Sequence, residues 1–160
     1  MTDERRTVRG VEVDDEAGLD AAGRLLDAFN REYDDPTPGP EPLAARLREL
    51  IADGDTLVLV AQEADEPIGL AVVRLHKAIW TLALEAYLAE LYVVPERRGR
   101  GAGQSLMRAW LDRARDLGAD YAYVITSEDD IAARFLYAKN GFRRTEGEDG
   151  PLMCALEREL

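Results

Sequence analysis

The stretch VVPERRGRGAGQSLM, from Val93 to Met107, constrains this chain more than any other. Two valines read as the end of a strand, Pro95 stops it because proline cannot donate to a sheet, and Gly99, Gly101 and Gly103 follow at alternate positions. Leu106, Met107, Trp110, Leu111, Ala114 and Leu117 then recur at helical spacing, with Gly118 at the C-cap. A strand, a glycine loop and an amphipathic helix in succession call for a layered fold with a right-handed crossover. Glycines let the backbone turn tightly and bring its amides close to a ligand. The helix N-terminus adds a positive dipole, so the loop suits a phosphate.

The rest of the chain supplies the other layers. Arg5 to Val13 alternates as a first strand, and Leu19, Ala22, Leu25, Leu26 and Phe29 place a helix over Ala17 to Glu32. Asp34 to Pro42, with four prolines and a glycine, reads as a loop, and Leu43, Leu47, Leu50 and Ile51 as a shorter helix. Leu57 to Gln62 and Ile68 to His76 form a hairpin around Glu63 to Pro67, and Leu88 to Val94 completes a meander. Beyond the glycine loop come a strand over Tyr121 to Thr126, a helix over Ile131 to Lys139 stopped by Asn140 and Gly141, and a terminal hairpin of Phe142 to Thr145 with Leu152 to Leu156. The fold class is α/β (α+β), in a single domain over residues 1–160.

Composition narrows the function. Thirty-two acidic against 20 basic residues leave a net charge of −12, which argues against a nucleic-acid partner. Between Leu91 and Gly118, however, six arginines face three acids, a local +3 that leaves −15 for the remainder. A small basic island in an acidic chain reads as a pocket for a small anion. No apolar stretch follows the N-terminus as in a secretory signal, and the longest apolar candidate, Ala78 to Val94, is interrupted by Glu85 and Glu90, so no membrane span is expected. The single cysteine, Cys154, cannot make an internal disulfide and reads as a small core residue, consistent with a cytoplasmic protein. No His, Cys or carboxylate cluster has metal-ligand spacing, His76 reads as a strand-end residue, and Trp110 belongs to the apolar stripe of its helix.

Two familiar phosphate loops fail on the Val93 to Met107 stretch. A Walker A loop needs Lys where Gln104 stands and Gly where Arg98 stands, and the dinucleotide fingerprint needs glycines two and then three apart, whereas these are two and two apart. Arg98, Gly101 and Gly103, after Val93 to Pro95, instead resemble the acyl-CoA loop of the GNAT superfamily of N-acetyltransferases. Asp130, Ala133, Tyr137 and the pair Gly141 and Phe142 match a second motif of that superfamily at its spacing. The resemblance spans Leu57 to Leu156 and, more loosely, the N-terminal strand and helices.

The resemblance implies a central mixed, mostly antiparallel sheet flanked by helices, with a splayed pair of strands at the acyl-CoA site. It implies that acetyl-CoA, as co-substrate, is held by Leu91, Tyr92, Val93, Arg98, Gly99, Arg100, Gly101, Ala102, Gly103, Gln104, Asp130 and Tyr137. It makes Tyr137 the general acid that protonates the departing thiolate, against packing on the inner helix face as the plainer role. Glu90 becomes the base that frees the amine, working through water with a pKa raised by burial; a solvated strand carboxylate is the competing role. Asp130 stands where the family most often has Asn. Because Ser127 to Asp130 fits a capping box, a helix cap competes there with a contact to CoA.

Phe29, Tyr33, Asp34, Trp80 and Glu90 are expected on the acceptor side, with Glu146, Glu148 and Asp149 near it. So many carboxylates favour a cationic acceptor, unless they are ordinary solvated loop acids. Asp129 and Asp130 are also similar to a short stretch of aminoglycoside 3-N-acetyltransferases. The function implied is transfer of an acetyl group to a primary amine, on a small molecule, a protein N-terminus or a lysine, by direct attack in a ternary complex. An acyl-CoA-binding sensor or structural module and an enzyme using a longer acyl-CoA are the alternatives; neither nucleic acid nor membrane is a partner, and a homodimer is left open.

Overall fold

The computed structural model describes residues 6–160. Five strands, β1 (Thr7–Gly10), β2 (Thr56–Glu63), β3 (Glu66–Lys77), β4 (Leu84–Val93) and β5 (Ala119–Val124), form one sheet in chain order. Neighbours run antiparallel from β1 to β4, and β5 lies parallel to β4. Helices α1 (Glu16–Glu32) and α2 (Pro40–Ala52) pack on one face, and α3 (Ala102–Asp116), which connects β4 to β5, on the other. A fourth helix, α4 (Ile131–Lys139), brings Tyr137 to the α3 side.

Strand period two explains why the central strands read as unbroken apolar runs. Val58, Val60, Leu70 and Val72 point into the core beneath α1 and α2, while Leu59, Ala61, Ala71, Val73 and Leu75 point into the core beneath α3. Both faces are covered along these residues, so the strands carry no polar alternation there. Trp110 anchors the α3 side at 0% exposure, its indole N–H meeting Met107 Sδ at 3.2 Å.

Several boundaries differ from the sequence expectations. Arg5, where the first strand is expected to begin, lies outside the described residues. Helix α2 starts at Pro40, not after Pro42, because a proline at the first helical position gives up only an amide that has no intrahelical partner. Strand β4 begins four residues before Leu88, at Leu84, where Glu85 and Tyr87 face an open part of the sheet and break the apolar signal.

The expected terminal hairpin does not form a ladder. A single bridge joins Thr145 to Leu152, with Glu146 N–H donating to Pro151 O at 3.0 Å and Met153 N–H to Arg144 O at 2.9 Å. Pro151 has no N–H to return, so pairing is not reinforced there. Leu152 and Leu156 stay 62% and 94% exposed, and Cys154 is exposed and not part of the core as expected, since no paired face exists to bury it.

Candidate active site

After β4 a single 3-10 turn, Pro95–Arg97, redirects the chain into the glycine loop. Gly99 and Gly101 hold φ of 72° and 88°, a region that side chains rarely adopt. Gly101 is the N-cap of α3 and has no side chain to cap it, so the first-turn amides of α3 project from the helix end unsatisfied by a cap. This is the electrostatic half of an anion site. Gly103 serves a different purpose: a Cβ there would sit 3.2 Å from Leu136 Cδ2, so its absence lets α4 lie against α3.

The arginines around the loop are not equally available. Arg98 donates to Glu32 Oε2 at 2.6 Å and to Val93 O at 2.8 Å and lies over the Tyr92 ring, which ties the end of α1 to the loop. Arg97 spans Glu63 and Glu66, each at 3.4 Å. Arg100 is exposed and makes no ion pair among the described residues. Gln104 exchanges two 2.9 Å hydrogen bonds with Asn140, joining α3 to the C-cap of α4.

Beside the loop the sheet opens. Pairing between β4 and β5 ends at Leu88 opposite Val124, while β4 continues to Val93, so Leu91, Tyr92 and Val93 have no strand on that side. A bulge at Ala89 sets which side chains meet this opening. Glu90 pairs with Val72 and Leu88 with Val73, so alternation reverses across the bulge. Ala86 and Leu88 point toward α3, whereas Glu90 and Tyr92 point toward the side of α1 and α2.

Glu90 is half-buried, and burial raises its pKa above the ordinary glutamate value. Tyr137, 9% exposed, has its pKa pushed up to about 12, first by burial and then by the charges of Asp130 and Glu90. The hydroxyl therefore keeps its proton at neutral pH. Asp130 is the N-cap of α4, accepting from Ala133 N–H at 3.0 Å; Ser127 is not the cap. A cleft of about 1090 Å³ lies between β5, α4 and the C-terminal segment, with Tyr137 in its wall.

The fold gathers some of the expected acceptor-side residues and separates others. Phe29 stacks on Tyr92 at 5.0 Å and meets Tyr33 edge-on at 5.5 Å, one step along the same face from Glu90. Asp34 follows Tyr33 in an exposed loop with φ of 54°. Trp80 lies at the opposite end of β4, in the β3–β4 connection, 95% exposed. Glu32, which holds Arg98, and Tyr87, Tyr121 and Tyr123 were not anticipated. The spacing of two in Tyr121 and Tyr123 was the available signal that both share one strand face. Among the described residues no group of three His, Cys, Asp or Glu is placed to hold a metal ion, and no helix is long and apolar enough to cross a membrane.

Known proteins share this fold. An uncharacterised N-acetyltransferase of Bacillus subtilis, YhfO, is 28% identical over 130 residues, covering 79% of this chain and 86% of its own. The D-amino-acid N-acetyltransferase HPA3 of Saccharomyces cerevisiae is 24% identical over 143 residues, with 89% and 88% covered. The crystal structure of a protein assigned as an acetyltransferase, from Arthrobacter sp. FB24, aligns with a TM-score of 0.85 at 35% identity over 96% of both chains. The model of the acetyltransferase (GNAT) family matches residues 23–142. That span takes in the glycine loop, the open end of β4 and the tyrosine helix together, and on it the chain belongs to the GNAT family of acetyltransferases.

Proposed function

We propose that the protein is an N-acetyltransferase that moves an acetyl group from acetyl-CoA to a primary amine by direct attack in a ternary complex. The observation that carries this reading is the meeting of three features where β4 parts from β5: uncapped helix amides, a half-buried carboxylate and a buried, protonated tyrosine. The first-turn amides of α3, with Gly99, Gly101 and Arg100, suit the pyrophosphate of CoA. The unpaired backbone of Leu91 to Val93 suits the pantetheine arm, and an N–H there can polarise the thioester carbonyl. Bound acetyl-CoA supplies the acetyl group as an activated thioester.

Glu90 takes a proton from the ammonium through water, and the amine nitrogen then bonds to the carbonyl carbon as the carbon–sulfur bond breaks. The electron pair leaves on sulfur. Tyr137 delivers the proton that neutralises it, its high pKa keeping that proton in place until the thiolate forms, and the second proton that the new amide nitrogen sheds restores the tyrosine hydroxyl through water. Arg98 and Gln104, whose hydrogen-bonding groups are engaged by Glu32 and Asn140, hold the loop and α4 in register beside the ligand. The name of the yeast relative, a D-amino-acid N-acetyltransferase, fits a small amine acceptor.

Acetyl-CoA at 100 times its Kd should raise Tm by about 5–10 °C. Gly101→Val, which forces a branched residue into a φ of 88°, should abolish the shift while the unliganded variant still melts cooperatively. Tyr137→Phe should keep the shift and lower the rate of CoA release by about 100-fold or more. Absence of any shift in the unmodified protein removes the cofactor reading, and an unaltered rate in Tyr137→Phe removes that residue's role.

A further inference from the structure

The sheet face that carries Glu90 continues past it without a helix to cover it. The core under α1 and α2 ends at Val72 and Tyr92, yet the face goes on through Arg74, Tyr87 and Tyr123. Register places these three side by side on adjacent strands, since Arg74 pairs with Tyr87 and Tyr87 with Tyr123. Glu90, through the bulge at Ala89, falls one step along β4 from Tyr87 on the same side and diagonal to Arg74.

Arg74 and Glu90 are short of ionic partners among the described residues, and the two tyrosines form an aromatic surface beside them. Tyr87 and Tyr123 stack at 4.9 Å and 17°, and the Tyr123 hydroxyl lies 3.2 Å from His76 Nε2, so two rings are held rigidly on a face that no core element covers. Among the described residues the buried Nε of Arg74 has no hydrogen-bond partner, and the one ionic contact of the side chain is a long one, 3.4 Å from Nη2 to Asp55. The Arg74 side chain is 40% exposed, so an incoming carboxylate can reach its guanidinium and make a charge-assisted hydrogen bond there. Glu90 makes no ion pair among the described residues. One cationic need, one anionic need and an aromatic wall therefore lie within a side chain's reach of each other, diagonal strand neighbours being about 7–8 Å apart.

We infer that this face binds a free α-amino acid with an aromatic side chain as the acceptor: its ammonium at Glu90, its carboxylate at Arg74, and its ring against Tyr87 and Tyr123. The assignment rests on the acetyltransferase reading for turnover but not for binding. An ammonium and a carboxylate on one carbon span the short gap between Glu90 and Arg74, and the side chain leaves that carbon toward β5, where the rings stand. Aromatic pairing adds specificity beyond buried area. A simple arylalkylamine would leave Arg74 unmet, and an aliphatic amino acid would leave the rings bare.

The test uses the full chain with acetyl-CoA and three probes: DL-phenylalanine, DL-alanine and phenethylamine, read by CoA release. Phenylalanine should exceed both others in kcat/KM by about tenfold or more, chiefly through KM. Arg74→Gln should collapse the preference over phenethylamine and Arg74→Lys should restore part of it. Tyr87→Leu with Tyr123→Leu should collapse the preference over alanine. Calorimetric titration of phenylalanine into the CoA complex reads binding without chemistry. Binding without release supports this site and overturns the transferase reading. Release that ignores both carboxylate and ring overturns this site alone, and neither binding nor release overturns both.

Discussion

Glu90 carries a cost for the fold that the proposed chemistry would use. Its carboxylate is half-buried with no ion-pair partner among the described residues, and burial raises its pKa. The native state thus favours the protonated form. As pH rises through the ordinary glutamate pKa of about 4 and on through the shifted native value, ionisation removes stability. Glu90→Gln should therefore raise Tm at pH 7–8, and the gain should disappear below about pH 4, where the glutamate is also neutral. The same substitution should lower acetyl transfer by about 10²–10⁴-fold. A stabilised variant with full activity would leave the carboxylate as a structural burden only. Tyr137, its pKa pushed up to about 12, is the complementary case, a hydroxyl kept protonated by burial and by the charges of Asp130 and Glu90.

At the scale of elements, local chemistry decided more in some places than in others. Helix α4 runs from Ile131 to Lys139, as its apolar spacing and its Asn140-Gly141 stop imply, because cap, period and terminator all lie within the segment. The β2–β3 turn is the opposite case. Ala64 and Asp65 both adopt positive φ, 47° and 65°, the two-residue turn that matches strand twist, although alanine carries none of the usual signal for it. Strand pairing on both sides imposes the geometry. Replacing the pair by Asn-Gly should relieve it, raising stability by about 1 kcal/mol in urea denaturation with the m-value unchanged. An unchanged or lower midpoint would show the turn is not strained. Strand β4 was only half legible, since its first residues look outward and its bulge at Ala89 leaves no mark in the letters.

Across the whole molecule the two tryptophans measure what packing decides. Both are large aromatic residues, yet Trp110 is 0% exposed between the sheet and Phe142, and Trp80 is 95% exposed at a hairpin tip. Trp110→Ala should cost about 3–5 kcal/mol, a large part of a typical domain's stability, while Trp80→Ala should change it by about 0.5 kcal/mol or less. Similar urea midpoints for the two variants would contradict this core. By itself the sequence determined what short-range sterics and periodicity govern: the strand, proline, glycines and helix around residues 93–107, the span of α4, and the central apolar strands. Only the tertiary structure decided that Glu90 faces away from α3, that Arg98 is held by Glu32, that Arg74, Tyr87 and Tyr123 share one surface, and that the terminal hairpin stops at one bridge. Each of these depends on register or on partners far apart in the chain. Local sequence records which conformations a residue can adopt, while long-range pairing chooses what that residue will meet.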